Sequence, residues 1–275
     1  MNSTVKRTIS GLVFTALMLC GLLIDKYLYA VLCIFIMVVM MAEFYRMTFG
    51  RKFRWSRRLS IFGGVFFFML VFGTCAFEMP VKYVGLAIIP LVTVMIFSLY
   101  SKDRDDFWMF SHIYTGFLYI AVPLSLSNFI AFRYGDFSGL LLLCFFIIIW
   151  ASDVGGFVFG TTLGKVWKKK LFPEISPKKS WAGFWGGMLL AVIAAVILKL
   201  CGLFEFPMIH VVLLAVVMDV AGVYGDLFES MWKRSYDLKD SGSIIPGHGG
   251  MLDRFDSTLM AIPAGVTYLI IFSLI

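Results

Sequence analysis

Charge is scarce in this sequence. Aspartate, glutamate, lysine and arginine make up only 15% of its 275 residues, against 60% hydrophobic and 17% aromatic. That leaves too little polar surface to cover a soluble globule, so lipid must solvate most of the chain. Histidine occurs only three times and no HExxH motif is present, so the helical zinc-protease arrangement is excluded. The five cysteines (Cys20, Cys33, Cys75, Cys144, Cys201) are odd in number, lie in apolar runs and include no CxxC pair. Neither a disulfide framework nor a zinc site is expected from them; they read as small apolar packing residues. Linkers, low-complexity tracts and internal repeats are also missing.

What is present is a series of nine apolar runs, at roughly 9–24, 27–42, 60–78, 83–100, 108–131, 138–163, 182–204, 208–231 and 256–275. About 20 helical residues cross the hydrocarbon core, so the pattern predicts an all-α polytopic membrane protein with about nine transmembrane helices. The run at 9–24 follows Lys6 and Arg7 like a signal peptide. It lacks a small-residue cleavage site, however, and a second run follows at once, so a membrane hairpin is the expectation. With the N-terminus in the cytoplasm, the cytoplasmic segments carry 20 Lys/Arg and the opposite side carries 4. That positive-inside bias places the C-terminus on the outer side. The net charge of +7 lies in short loops, which suits orientation and anionic lipid better than nucleic acid. Residues 1–131 read as a scaffold of spans one to five, and residues 132–275 as a catalytic region of spans six to nine.

Carboxylates inside such runs need a reason, since one near the bilayer centre costs roughly 2.5–3.5 kcal/mol on insertion scales. Asp153 lies in span six, Asp219, Asp226 and Glu229 in span eight, and Asp253 and Asp256 open span nine. The expected topology brings them to similar depth in the cytoplasmic leaflet. Asp226/Glu229 and Asp253/Asp256 have i, i+3 spacing and can share a helix face. Converging carboxylates repel unless cations sit between them, and hard oxygen ligands suit magnesium held partly by substrate phosphates. Other readings stay open: Asp253 or Asp256 as an N-cap, Glu229 as a solvated helix end, and Asp219 as the partner of a polar neighbour on another helix.

The segment 230–257, "SMWKRSYDLKDSGSIIPGHGGMLDRFDS", is polar and rich in turns between two apolar spans. Its "PGHGGML" offers backbone N–H groups suited to cradling an anion. Lys233, Arg234, Lys239 and Arg254 surround it with positive charge, and Lys178 and Lys179 of "ISPKKSW" precede span seven on the same side. His248 reads either as a general base or as a hydrogen-bonding group for substrate or loop. "WKKK" (Lys168 to Lys170) and "RKFRWSRR" read as positive-inside anchors. "GTTLGKV" has the tail of a Walker A loop, but Val166 stands where Ser/Thr is required.

Ser230, Lys233, Arg234, Lys239, Asp240, Pro246, His248, Gly249, Gly250, Asp253, Arg254 and Asp256, at these spacings, resemble the signature of the phosphatidate cytidylyltransferases (CDP-diacylglycerol synthases). Asp153 with its following glycines, "ISPKKSW" and "GDLFES" resemble that family as well, so the likeness covers roughly residues 150–260. The resemblance implies transfer of CMP from CTP to phosphatidate, giving CDP-diacylglycerol and diphosphate for phospholipid biosynthesis. It implies magnesium, with more than one cation, and a homodimer in the bacterial cytoplasmic membrane with the site facing the cytoplasm. By motif position it implies Asp226 and Asp253 as principal metal ligands with Asp256 and Asp153 close by. By the same resemblance Lys239, Asp240, His248 and Arg254 would join Asp226 and Asp253 as catalytic residues. Ser176, Lys178, Lys179, Ser180, Ser230, Lys233, Arg234, Gly249 and Gly250 would bind substrate. Ser180 stands where the family usually has threonine, and Ala182 where a glutamate or similar residue is common. Two other classes fit parts of the pattern: a CTP-dependent polyprenol or phytol kinase, and a secondary transporter. The transporter would need a two-sided route through broken helices rather than carboxylates gathered on one side.

Overall fold

The computed structural model describes residues 3–100, 107–245 and 249–275. It is helical nearly throughout, and each of the nine apolar runs is a helix or a stack of helical pieces. Helices α1 (Ser3–Leu23), α2 (Lys26–Phe49) and α3 (Arg54–Phe77) come first. A 3-10 segment (Val81–Ala87) then leads into α4 (Ile88–Leu99). The fifth run is α5 (Trp108–Gly116), a π-helical turn (Phe117–Ala121) and α6 (Val122–Ala131). Helix α7 (Leu140–Thr162) is followed by a small antiparallel hairpin, β1 (Lys170–Phe172) with β2 (Ser176–Ser180). The chain ends with α8 (Trp181–Leu200), α9 (Met208–Ser235) and α10 (Leu252–Ile271).

Among the described residues, seven of these stretches are long and apolar enough to cross a membrane, from Lys26–Phe49 to Met208–Ser235. The two end runs differ. The apolar part of α1 is only Thr8–Leu23, and α10 carries Asp253, Arg254 and Asp256 in its first turns and Pro263 inside. Lipid offers the backbone no hydrogen-bond partner, so chains of this composition must satisfy their amides within helices. The boundaries follow local chemistry. The Asp25 carboxylate accepts from Tyr27 N at 2.9 Å to start α2, and Gly50, at φ +58, ends it. Ser180 Oγ accepts from Gly183 N at 3.2 Å to start α8.

Two compact units result. The first comprises residues 1–137 with 240–254, so the glycine-rich loop belongs with the N-terminal helices; the second comprises residues 138–239 with 255–275. Buried hydroxyls join the helices of the first. Tyr29 and Ser127 pair at 2.7 Å, Tyr45 and Ser60 at 2.6 Å, and the Tyr45 hydroxyl also donates to the Ile113 carbonyl at 2.9 Å. Tyr29 sits in an aromatic group with Phe68, Phe132 and Phe137.

The second unit is built on a glycine seam. Gly156-x3-Gly160 of α7 faces Gly183-x3-Gly187 of α8, the small-residue spacing that lets helix backbones approach in lipid. A Cβ at Gly155 would run into the Gly186 carbonyl oxygen, and one at Gly183 would lie 2.8 Å from the Gly156 carbonyl oxygen. Farther along, Gly225 of α9 lies against the Asp256 backbone of α10. Gly155→Ala should therefore destabilise the protein by about 1–3 kcal/mol, the usual cost of overpacking. Gly85→Ala, where a Cβ meets nothing within 4 Å, should be neutral. Thermal denaturation of both variants in detergent checks the pair, and equal midpoints would refute the seam.

Candidate functional site

In the second unit a cavity of about 320 Å³ opens among α7, β2, α8, α9 and α10. Its polar wall brings together Ser152, Asp153, Lys178, Lys179, Ser180, Asp219, Asp226 and Ser257; Ile148, Ile149, Phe157, Leu171, Phe184 and Met218 supply an apolar wall. The hairpin places the lysines, since β2 packs on α7, α8 and α9. The N-terminus of α8, with Ser180 as cap and Gly183 on the cavity surface, adds its free amides and positive dipole end.

Part of the charge in this cavity is paired. Lys179 Nζ lies 2.6 Å from Asp226 Oδ2, and Ser230 Oγ donates to Asp226 Oδ1 at 3.2 Å. Ser152 Oγ donates to Asp219 Oδ1 at 2.5 Å, so a polar neighbour on another helix does engage Asp219. Asp219 is only 3% exposed, and its second oxygen has no hydrogen-bond partner among the described residues. Asp256 accepts from Ser257 N at 2.7 Å and feels the charges of Asp226, Glu229 and Asp153, in that order. Carboxylates from α7, α9 and α10 thus lie within electrostatic reach of one another. Such an all-oxygen set has the donor chemistry of a hard divalent cation. Among the described residues no three His, Cys, Asp or Glu close into a metal-holding group. Lys179 supplies the positive charge beside Asp226.

Other residues singled out by sequence lie elsewhere. Lys233 is buried and pairs with Glu229, 1% exposed, at 2.7 Å. Glu229 is therefore not a solvated helix end. The Arg234 guanidinium donates to the Leu238 carbonyl at 2.6 Å. Ser176 begins β2, and Lys239 is exposed at the end of the second unit. In the first unit Asp240 and Arg254 are exposed, while Asp253 is half-buried and organises the loop. Asp253 accepts from Gly250 N at 2.8 Å and from Ser241 N at 2.9 Å. Gly249, at φ +86, makes the turn just before Gly250. His248 and Pro246 lie outside the described residues.

Glu43 was missed by the sequence reading. Only 8% exposed on α2, it accepts from Leu252 N at 2.9 Å and contacts Ser241 Oγ at 3.5 Å, so it anchors the same loop that Asp253 ties. The signal was a single carboxylate within an otherwise apolar helix.

The fold and cavity define a multi-pass membrane protein in which lysines and carboxylates meet beside an apolar wall. Comparison with known proteins gives the particular family. The sequence model of the cytidylyltransferase family matches residues 5–272, and the chain belongs to that family. It is 37% identical over 197 residues to a phosphatidate cytidylyltransferase of Bacillus subtilis (strain 168), covering 71% of this chain and 70% of that one. It is 36% identical over 171 residues to one from Staphylococcus epidermidis, covering 62% and 63%. A third, from Rickettsia bellii, is 35% identical over 158 residues, covering 55% and 66%. In the latter two the match spans just under two thirds of the relative's length.

The burial of the Lys233–Glu229 pair makes a prediction. Lys233→Met removes the cation beside a buried carboxylate and should cost about 3–5 kcal/mol. Adding Glu229→Gln should restore most of that stability. Denaturation midpoints of the single and double variants test this; a fully stable single variant would show that the pair carries no structural weight.

Proposed function

We propose that the protein transfers CMP from CTP to phosphatidate, releasing diphosphate and leaving CDP-diacylglycerol in the membrane. The observation that carries this reading is the cavity itself. Lysines, a helix N-terminus and carboxylates meet there beside an apolar wall, in a chain of the cytidylyltransferase family. Positive-inside counting supports a cytoplasmic N-terminus and a site on the cytoplasmic face of a bacterial inner membrane.

The reaction joins two anions. An oxygen of the phosphatidate phosphate bonds to the α-phosphorus of CTP as the bond from that phosphorus to the bridging oxygen breaks, and diphosphate departs with the bonding pair. The attacking phosphate is already ionised near neutral pH, so no strong base is required. Most of the catalytic task is to align the two anions and to neutralise the departing charge. Lys178 and Lys179, with the amides at the start of α8, would hold phosphate oxygens. The apolar wall would admit the lipid side, leaving the acyl chains in the bilayer. Asp226, Asp256 and Asp153 would hold magnesium, which when bound supplies Lewis-acid stabilisation of phosphate oxygens. Ser230 holds the orientation of the Asp226 carboxylate, and Asp219 is fixed by Ser152.

Purified protein given CTP, phosphatidate and magnesium should form CDP-diacylglycerol and diphosphate, and chelation of divalent cations should stop the reaction. Asp226→Asn should lower kcat by about 10²–10³, the usual loss when one electrostatic group is removed from a transition state. Phosphate appearing on a polyprenol instead would identify a lipid kinase. Near-normal turnover by a folded Asp226→Asn protein would sink the assignment of that residue.

A further inference from the structure

Six basic residues crowd the turn between α2 and α3. Arg46, Arg51, Lys52, Arg54, Arg57 and Arg58 fall within 13 residues, and no carboxylate occurs between Glu43 and Glu78. Five of them, all arginines, line one cavity of about 580 Å³ in the first unit. That size falls among small-molecule sites, which run roughly 300–1,000 Å³. Among the described residues none of the five arginines pairs with a carboxylate. Arg54 and Arg46 are the neighbouring charges that act on Arg57. Like charges gathered around one space repel, and an anion placed among them reverses the sign of that term.

Anchoring of the chain by positive charge explains basic residues at a membrane face, but it asks for no geometry and lysine serves equally. This turn has geometry. Gly50 reverses the chain at φ +58, and its carbonyl accepts from Arg57 Nη1 at 2.6 Å. Phe53, at φ +53, is buried against Phe49 and Trp108, which pins the loop from below. The Arg58 guanidinium lies 5.6 Å over the Trp55 ring. Helix α3 starts here with no side-chain cap, so its first amides and positive dipole end stand beside the arginines. Guanidinium forks bind phosphate oxygens in pairs, which an ammonium cannot do.

We propose that this cavity binds the phosphate of an anionic phospholipid headgroup, through residues that the proposed catalytic cavity does not use. The lipid is favoured as the source by position. Helices α2 and α3 are each 24 residues long and apolar enough to cross a membrane, so the turn between them lies where hydrocarbon gives way to headgroups. Trp55 beside it is 72% exposed, as an interfacial anchor would be. Basic clusters of this size next to a span are the usual footprint of anionic lipid recognition.

The test uses full-length protein, freed of lipid in a neutral detergent and titrated with phosphatidylglycerol or phosphatidylcholine. Phosphatidylglycerol is not the substrate proposed above, so this result stands apart from the fate of that reading. Binding is followed by native mass spectrometry and by the thermal midpoint. Phosphatidylglycerol should bind and raise the midpoint, and phosphatidylcholine should do neither. Changing Arg51, Arg54 and Arg58 together to Gln should weaken phosphatidylglycerol binding by roughly a hundredfold, from about 1 kcal/mol per lost charge. Changing the same three to Lys keeps the net charge and should still weaken binding about tenfold, because the paired hydrogen bonds are lost. Undiminished binding by either folded variant would overturn the proposal, the Lys variant by showing diffuse charge alone. Displacement of the lipid by equimolar inorganic phosphate would overturn it too, by making the occupant a soluble anion.

Discussion

An ionised side chain among apolar helices must be answered by a donor or an opposite charge, because the surroundings supply neither. The polar architecture of both units follows from that constraint. In the second unit Lys179 answers Asp226, Lys233 answers Glu229 and Ser152 answers one oxygen of Asp219. In the first, Glu43 and Asp253 are answered by backbone amides of the 241–252 segment. The two solutions have different consequences. Side-chain pairs can exchange partners when a ligand arrives. A carboxylate bonded to backbone amides instead fixes the path of the chain, which is how a loop with several glycines acquires a defined shape.

The cavity in the second unit depends on how closely helices can approach. Glycines on α7 and α8 let the two backbones touch, and that contact sets Ser152 and Asp153 near the N-terminus of α8. Any side chain along the seam would push the helices apart and separate the lysines on β2 from the carboxylates on α7 and α9. The seam therefore serves two ends at once. It supplies packing where lipid offers no hydrophobic drive, and it keeps charged partners within pairing distance.

Much of this was legible in sequence because the bilayer imposes a length on each span. All nine runs are helical. Of the expected gathering of Asp153, Asp226, Asp253 and Asp256 with Lys178 and Lys179, the cavity lining includes Asp153, Asp226, Lys178 and Lys179 but not Asp253 or Asp256. What sequence could not show was burial. The charge of Lys233 is visible in sequence and its depth is not; in the structure it is buried and pairs with Glu229, one turn away. Glu43 escaped notice for the opposite reason. It falls at the edge of a basic segment and looks solvated, whereas its partners lie some 200 positions later in the chain. A contact of that separation leaves no local pattern. Asp253 differs for a local reason: its i, i+3 spacing to Asp256 suggests a shared helix face, but its carboxylate accepts from the Ser241 and Gly250 amides of the preceding loop.

The Lys179–Asp226 pair bears on how the proposed reaction begins. A lysine intended for phosphate and a carboxylate intended for a cation would each be an uncompensated charge in a cavity with an apolar wall. Paired at 2.6 Å, they neutralise one another. A metal-bound nucleotide, as the proposed reaction requires, would bring both missing charges together, and the ammonium would then pass to phosphate and the carboxylate to the cation. Neither ligand alone would offer that exchange: phosphate without cation would leave Asp226 only the Ser230 hydroxyl, and cation without phosphate would leave Lys179 without its carboxylate. A cavity built on this pair would favour the metal–nucleotide complex over its separate components. Both side chains are partly exposed, so solvent would moderate this coupling.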